Sequence, residues 1–202
     1  MKLYFSPGAC SLSPHIALLE AGLAFTTERV DIRARKTASG ADFLAINPKG
    51  YVPALELKDG AVLTEGPAIV QFIADLVPDR QLAPANGTLE RYRLIEWLNF
   101  ISTEVHKSFS PLFRPTSTEE MKEAARTHLS NRLGWIASQL EGRDYLMGSQ
   151  FTVADAYLFT VLGWADVVKF SLADWPQLQA FRARIGARPA VQQALRDEGL
   201  LK

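Results

Sequence analysis

Cys10 is the only cysteine in the chain, so no disulfide can form within it and a reducing cytosol is the expected setting. Neither sign of charge dominates, because 22 Lys and Arg balance 22 Asp and Glu. With no basic excess to draw in phosphates, nucleic acid and anionic membranes are not expected partners. Charges interrupt every apolar stretch well short of the ~20 residues a membrane span needs. The opening MKLYFSPGACSLSPH sets a proline and polar side chains where a secretory signal would have its apolar run. Internal repeats and low-complexity tracts are missing too. With 48% apolar and 22% charged residues, disorder and fibrous architectures are excluded. The 202 residues suffice for one large domain or two small ones with a core of their own.

The two halves read differently. Residues 2–5 form a β-prone run closed by Ser6-Pro7-Gly8. Helical spacing follows over 11–21, with Ser11 and Ser13 as candidate N-caps, Pro14 early and Gly22 as the stop. A strand is predicted over 25–32 and a short helix over 39–46. A hairpin is predicted from 52–57 and 61–63 around Lys58-Asp59-Gly60, then a helix over 67–77. This order, β-α-β-α-β-β-α, fits a small α/β domain over 1–77. Residues 78–87 are rich in turn formers and read as a linker. Beyond it, 89–113, 118–140, 153–169 and 176–195 carry 3.6-residue periodicity, which predicts an all-helical domain over 88–202. Thr152-Val153-Ala154-Asp155 reads as a capping box that starts a buried helix.

Cys10 falls between a Pro-Gly turn and a predicted helix. A helix N-terminus offers unpaired N–H groups and a positive dipole end, which favour thiolate; burial as a small hydrophobe is the alternative. Cys10-Ser11-Leu12-Ser13 is a Cys-x-x-Ser at the first β-to-α turn, where a thioredoxin-like site would have its second cysteine. Without an internal resolving thiol, disulfide chemistry there needs an external small thiol. Val52-Pro53 opens a strand, and a cis bond would leave the Val52 N–H and C=O for an extended peptide. Glu65-Gly66 precedes a helix; the glycine admits a carboxylate to the helix start, and Glu65 can accept from an ammonium group. Each feature also has a plain structural reading. Together they describe a reader of a short thiol peptide.

The chain resembles bacterial beta-class glutathione transferases from Met1 to Lys202. The likeness runs through Pro7-Gly8-Ala9-Cys10-Ser11, Asn47-Pro48-Lys49-Gly50-Tyr51-Val52-Pro53, Leu63-Thr64-Glu65-Gly66, Glu96-Trp97-Leu98-Asn99-Phe100-Ile101, Glu104-Val105-His106-Lys107 and Phe151-Thr152-Val153-Ala154-Asp155. The stretch around Gln81–Gly87 and the run from Trp97 to Ser102 resemble transferases that accompany biphenyl degradation. The resemblance implies a thioredoxin-like domain, a helical bundle, a cytosolic homodimer with a detoxifying role, glutathione as cosubstrate, no metal, and a cis Pro53. It implies Cys10 beside the glutathione sulfur, Val52 for the peptide, Glu65 and Gly66 for the γ-glutamyl end, and Arg35 near the glycine carboxylate. On the second domain it implies Asn99, Thr103, Glu104, His106 and Lys107, with Glu104 a candidate for a contact made across the dimer. Helical spacing independently gathers Asn99, Ser102, Thr103 and His106 into one polar stripe. Phe109, Leu112, Phe113 and Trp164 are candidates for the hydrophobic substrate.

One departure stands out: many relatives carry tyrosine where this chain has Phe5, and its tyrosine is Tyr4. Neighbouring strand residues face opposite ways, so Tyr4 is not expected to replace that hydroxyl. Cys10, Ser11 and His106 are left as the expected stabilisers of the sulfur. The expected chemistry is conjugation of a glutathione thiolate to an electrophile. An ordinary thiol titrates near ~8.5, and lowering that by two units corresponds to about 2.7 kcal/mol. Thiol–disulfide exchange or reductive dehalogenation through a Cys10 mixed disulfide is the alternative, and a non-catalytic glutathione-binding protein is a third.

Overall fold

The structure, a computed structural model, describes residues 1–201. These divide into two compact units, Met1–Ala83 joined by the chain from Ala187 onward, and Pro84–Gly186. The first unit is therefore not confined to the N-terminal part of the chain. The helix expected over 176–195 is interrupted. Pro189 forces Arg188 into an extended conformation (φ −68°, ψ 136°), giving α8 (Pro176–Gly186) and α9 (Pro189–Asp197), and α9 packs on the first unit's α1 (Leu12–Ala21). The domain expected over 88–202 ends at Gly186 by this division.

Strands β1 (Lys2–Phe5), β2 (Thr26–Asp31), β3 (Lys36–Thr37), β4 (Ala54–Glu56) and β5 (Val62–Thr64) form a mixed sheet in the order β3-β2-β1-β4-β5. β1 runs parallel to β2, while β4 is antiparallel to β1 and β5 to β4. The short β3 carries no period-2 signal of its own and was not expected. α2 (Phe43–Ile46) and α3 (Gly66–Asp75) complete the order. Alternation along β1 sorts its side chains. Phe5 turns toward α1, its ring 6.0 Å from His15, while Tyr4 joins Val30, Phe43, Val52 and Ala54 on the other face. Gly22, at φ 66°, ends α1 by donating back to Leu18 and Leu19.

In the second unit α7 (Val153–Val167) is buried on nearly every side, the expected condition of a helix apolar all round. α4 (Leu89–Phe100) and α8 pack on it, and α6 (Glu119–Gln139) packs on α8. The expected capping box is formed. Asp155 accepts from the Thr152 N–H at 2.7 Å and, through its other oxygen, from the Leu146 N–H at 2.8 Å. No helix is long and apolar enough to cross a membrane among the described residues.

Candidate functional site

β1 hands the chain to a turn in which the Ala9 N–H donates to the Ser6 carbonyl at 3.0 Å. Pro7 takes the second position and Gly8 the third at φ 69°, a backbone angle that calls for glycine. Cys10 follows directly, partly exposed at the entrance to α1. Its thiol donates to the Val52 carbonyl at 3.2 Å. The next amide, Ser11 N–H, has no acceptor among the described residues, so a donor at the helix entrance stays open to an anion.

The Ser11 side chain does not serve the sulfur as expected. It is fully buried, its oxygen accepting from the Ser6 N–H at 3.1 Å and its proton going to the Ser6 carbonyl at 3.2 Å. The hydroxyl staples the turn. Neither serine caps α1 through its side chain: Ser11 occupies the N-cap position without such a bond, and the Ser13 hydroxyl is buried without a partner among the described residues.

Val52–Pro53 is cis. The Val52 carbonyl is not open, since it accepts from Cys10, whereas its N–H has no partner among the described residues. Beside it, Glu65 heads α3 at φ 67°, a conformation that side chains other than glycine's avoid and that tends to mark working sites. A Cβ on Gly66 would stand 4.0 Å from Pro53 Cγ, so the helix start lies against the cis proline. The Glu65 carboxylate meets Lys49 Nζ at 2.8 Å, and the same ammonium donates to Thr64 Oγ1 at 2.9 Å. Lys49 was not singled out in the sequence. It reaches the site because Asn47 accepts from the Lys49 N–H and donates to the Tyr51 carbonyl, shaping the loop. Arg35 is exposed at φ 55°, its carbonyl bonded to the Phe43 N–H and its guanidinium without an acceptor among the described residues.

Tyr4 stays out of this site, as alternation along β1 requires. Its hydroxyl donates to Glu56 at 2.6 Å. Burial, reinforced by that carboxylate, holds the phenol above its ordinary value, so it remains protonated.

The second unit carries the remaining candidates, and here the helix departs from α geometry. Beyond α4 the chain makes a π turn, Ile101–His106, then a 3₁₀ turn, Lys107–Phe109, before α5 (Ser110–Phe113). The single helix expected over 89–113 is thus three kinds of helix, and π turns cluster at functional sites. Wider winding splits the expected polar stripe. Asn99, Thr103 and Lys107 are exposed at four-residue spacing, whereas Ser102 and His106 are half-buried. His106 Nδ1 lies 2.7 Å from the Tyr157 hydroxyl, and its ring stands edge-on to Trp164 at 4.7 Å. Tyr157, inside the helix expected over 153–169, was not singled out as a site residue. Glu104 pairs with Arg132 at 2.8 Å and His128 at 3.5 Å, partners the sequence did not connect to it. Of the four apolar candidates, Phe113 is exposed, Leu112 half-buried and Trp164 nearly covered. Phe109 is fully buried against Trp164, so it supports the wall and does not line an open surface.

Comparison with known proteins agrees with this arrangement. Residues 8–76 match the glutathione S-transferase N-terminal domain, and residues 100–189 match the glutathione S-transferase C-terminal domain. Glutathione S-transferase GstA of Escherichia coli O157:H7 is 50% identical over 200 residues, covering 99% of this chain and all of that one. The solved structure of a ternary complex of BphK, a bacterial transferase, is 64% identical with a TM-score of 0.98 over 99% of this chain and 100% of its own. A beta-class enzyme from Sphingomonas chungbukensis is 52% identical with a TM-score of 0.97, each chain covered in full. The chain belongs to the glutathione S-transferase family, beside its bacterial beta-class members, and is a transferase.

Proposed function

We propose that the protein binds glutathione as its thiolate and transfers it to small hydrophobic electrophiles, working as a cytosolic homodimer. The juxtaposition of the Cys10 thiol with the Val52 carbonyl, 3.2 Å apart, carries the reading. An extended peptide pairing with the Val52 main chain would take over that carbonyl and release the Cys10 thiol toward the ligand's own sulfur. The Lys49–Glu65 pair then offers one charge of each sign to an α-amino acid end, and Arg35 offers a cation to a carboxylate. Support also comes from a sphingomonad transferase complexed with glutathione, 50% identical to this chain. In the second unit, His106 beside Tyr157 and Trp164, with Phe113 and Leu112 nearby in sequence, is the surface we assign to an apolar acceptor. Glutathione-dependent conjugation of a chloronitrobenzene, followed by absorbance, tests the reading. No turnover with any of a panel of aryl halides, epoxides and enones would overturn it.

A second reading uses the same thiol as nucleophile, and the partial exposure of Cys10 favours it. The Cys10 thiolate would attack glutathione disulfide, forming a Cys10–glutathione disulfide and releasing one glutathione thiolate. Mass spectrometry of protein incubated with glutathione disulfide should then show an adduct that dithiothreitol removes. Sedimentation at micromolar concentration checks the dimer.

A further inference from the structure

A buried carboxylate at the far end of the chain is tied to the turn that carries the thiol. Glu198, just beyond α9, has a side chain with no solvent exposure. One of its oxygens accepts from the Gly8 N–H at 2.9 Å. The other lies 2.9 Å from Nδ1 of His15 on α1, so that nitrogen carries the proton when the carboxylate is ionised. His15 is itself buried, edge-on to Phe25 at 5.6 Å. The Ser6-Pro7-Gly8-Ala9 turn closes through the Ala9 N–H, which leaves the Gly8 N–H pointing out of it. A backbone donor that is partly withdrawn from water needs an acceptor, and Glu198 brings one from 190 residues away. Leu200 adds an apolar contact, its side chain 3.6 Å from where a Cβ on Gly8 would be.

We propose that Glu198, oriented by His15, is a positioning residue for Cys10. By fixing the Pro7–Gly8 peptide it sets where the sulfur stands relative to the open Ser11 N–H and to Val52. The proposal rests on the reading of Cys10 as the residue beside the glutathione sulfur. It differs from mere docking of α9, because α9 has a second tie to α1 that does not involve the turn: Arg188 Nε reaches Glu20 Oε1 at 2.6 Å.

The test follows alkylation of Cys10 by iodoacetamide across pH 5–10, well below each variant's melting temperature, alongside KM and kcat for glutathione. Glu198→Leu removes both hydrogen bonds and should slow alkylation at pH 7 at least fivefold, move the profile's midpoint upward and raise KM more than it lowers kcat. Glu198→Gln can still accept from Gly8 with its oxygen and donate to His15 with its amide, and should stay within twofold of the parent. Arg188→Gln should lower the melting temperature yet leave the profile unchanged. A parental profile in Glu198→Leu, or an equal shift in Arg188→Gln, would overturn the proposal. Should the leucine variant fail to fold, amide exchange in the parent decides. Gly8 N–H exchanging as fast as the N–H of Gly87, an exposed residue whose amide has no acceptor among the described residues, refutes the bridge, and marked protection supports it. Failure of the glutathione reading would show separately, as absence of binding in a calorimetric titration of the parent.

Discussion

Replacing Asp155 by alanine should destabilise the second unit substantially without touching any residue assigned to ligand. Asp155 is fully buried, and its carboxylate accepts from the Leu146 N–H, the Thr152 N–H and the Thr152 hydroxyl at 2.7–3.0 Å. Truncation removes the partner of the Thr152 N–H at the start of α7, a loss of about 0.5–2 kcal/mol by analogy with other caps. It also strands the Leu146 N–H in the interior, at about 1–3 kcal/mol. The expected loss at pH 7 is therefore about 2–5 kcal/mol, which at this chain length lowers the melting temperature by roughly 10 °C. Urea unfolding followed by circular dichroism measures it. The reasoning also fixes a pH dependence. Burial pushes Asp155 up to about 6 from 3.8, against the pull of the groups that donate to it. A carboxyl whose folded value is raised binds its proton more tightly when folded, so its contribution is full below pH 3.8 and falls as pH rises through about 6. At about 1.4 kcal/mol per tenfold change in proton affinity, that decline is about 3 kcal/mol. The difference in stability between parent and Asp155→Ala should narrow accordingly from pH 4 to pH 7. A loss under about 1 kcal/mol at pH 7, or a difference that widens with pH, would refute the account.

Tyr4→Phe removes the hydroxyl bonded to Glu56, on the opposite face of β1 from Phe5, and should leave glutathione KM and kcat within twofold of the parent. Glu65→Gln weakens the exposed pair with Lys49 and should raise glutathione KM about tenfold by isothermal titration and kinetics. Its effect on melting should be under about 1 kcal/mol, because exposed ion pairs contribute little to stability. Cys10→Ser should abolish the reducible glutathione adduct while conjugation persists if the ligand's own thiolate is the nucleophile; loss of both activities would assign the chemistry to Cys10 itself.

Much of the candidate site could be read from the chain because its parts are local. A turn, a helix start and an X-Pro strand opening are set by consecutive residues, so Cys10, Val52–Pro53 and Glu65–Gly66 could be found without coordinates. Opposite facing of Tyr4 and Phe5 follows from the two-residue repeat of a strand alone. The capping box at Thr152–Asp155 is equally local. Partners brought by tertiary packing left no such trace. Lys49 meets Glu65 across 16 residues, Tyr157 meets His106 across 51, and Glu198 meets Gly8 across 190. No periodicity encodes those distances.

The amino-acid order by itself decided the alternation of elements, the apolar faces and the single thiol at a helix entrance, since these depend on hydrophobic spacing and on the backbone preferences of Pro and Gly. The return of α9 to the first unit, the bridge from Glu198 to the Gly8 N–H and the meeting of Tyr157 with His106 were decided only by tertiary structure. Each satisfies a buried donor, acceptor or apolar face with a partner that comes near only once the chain has folded.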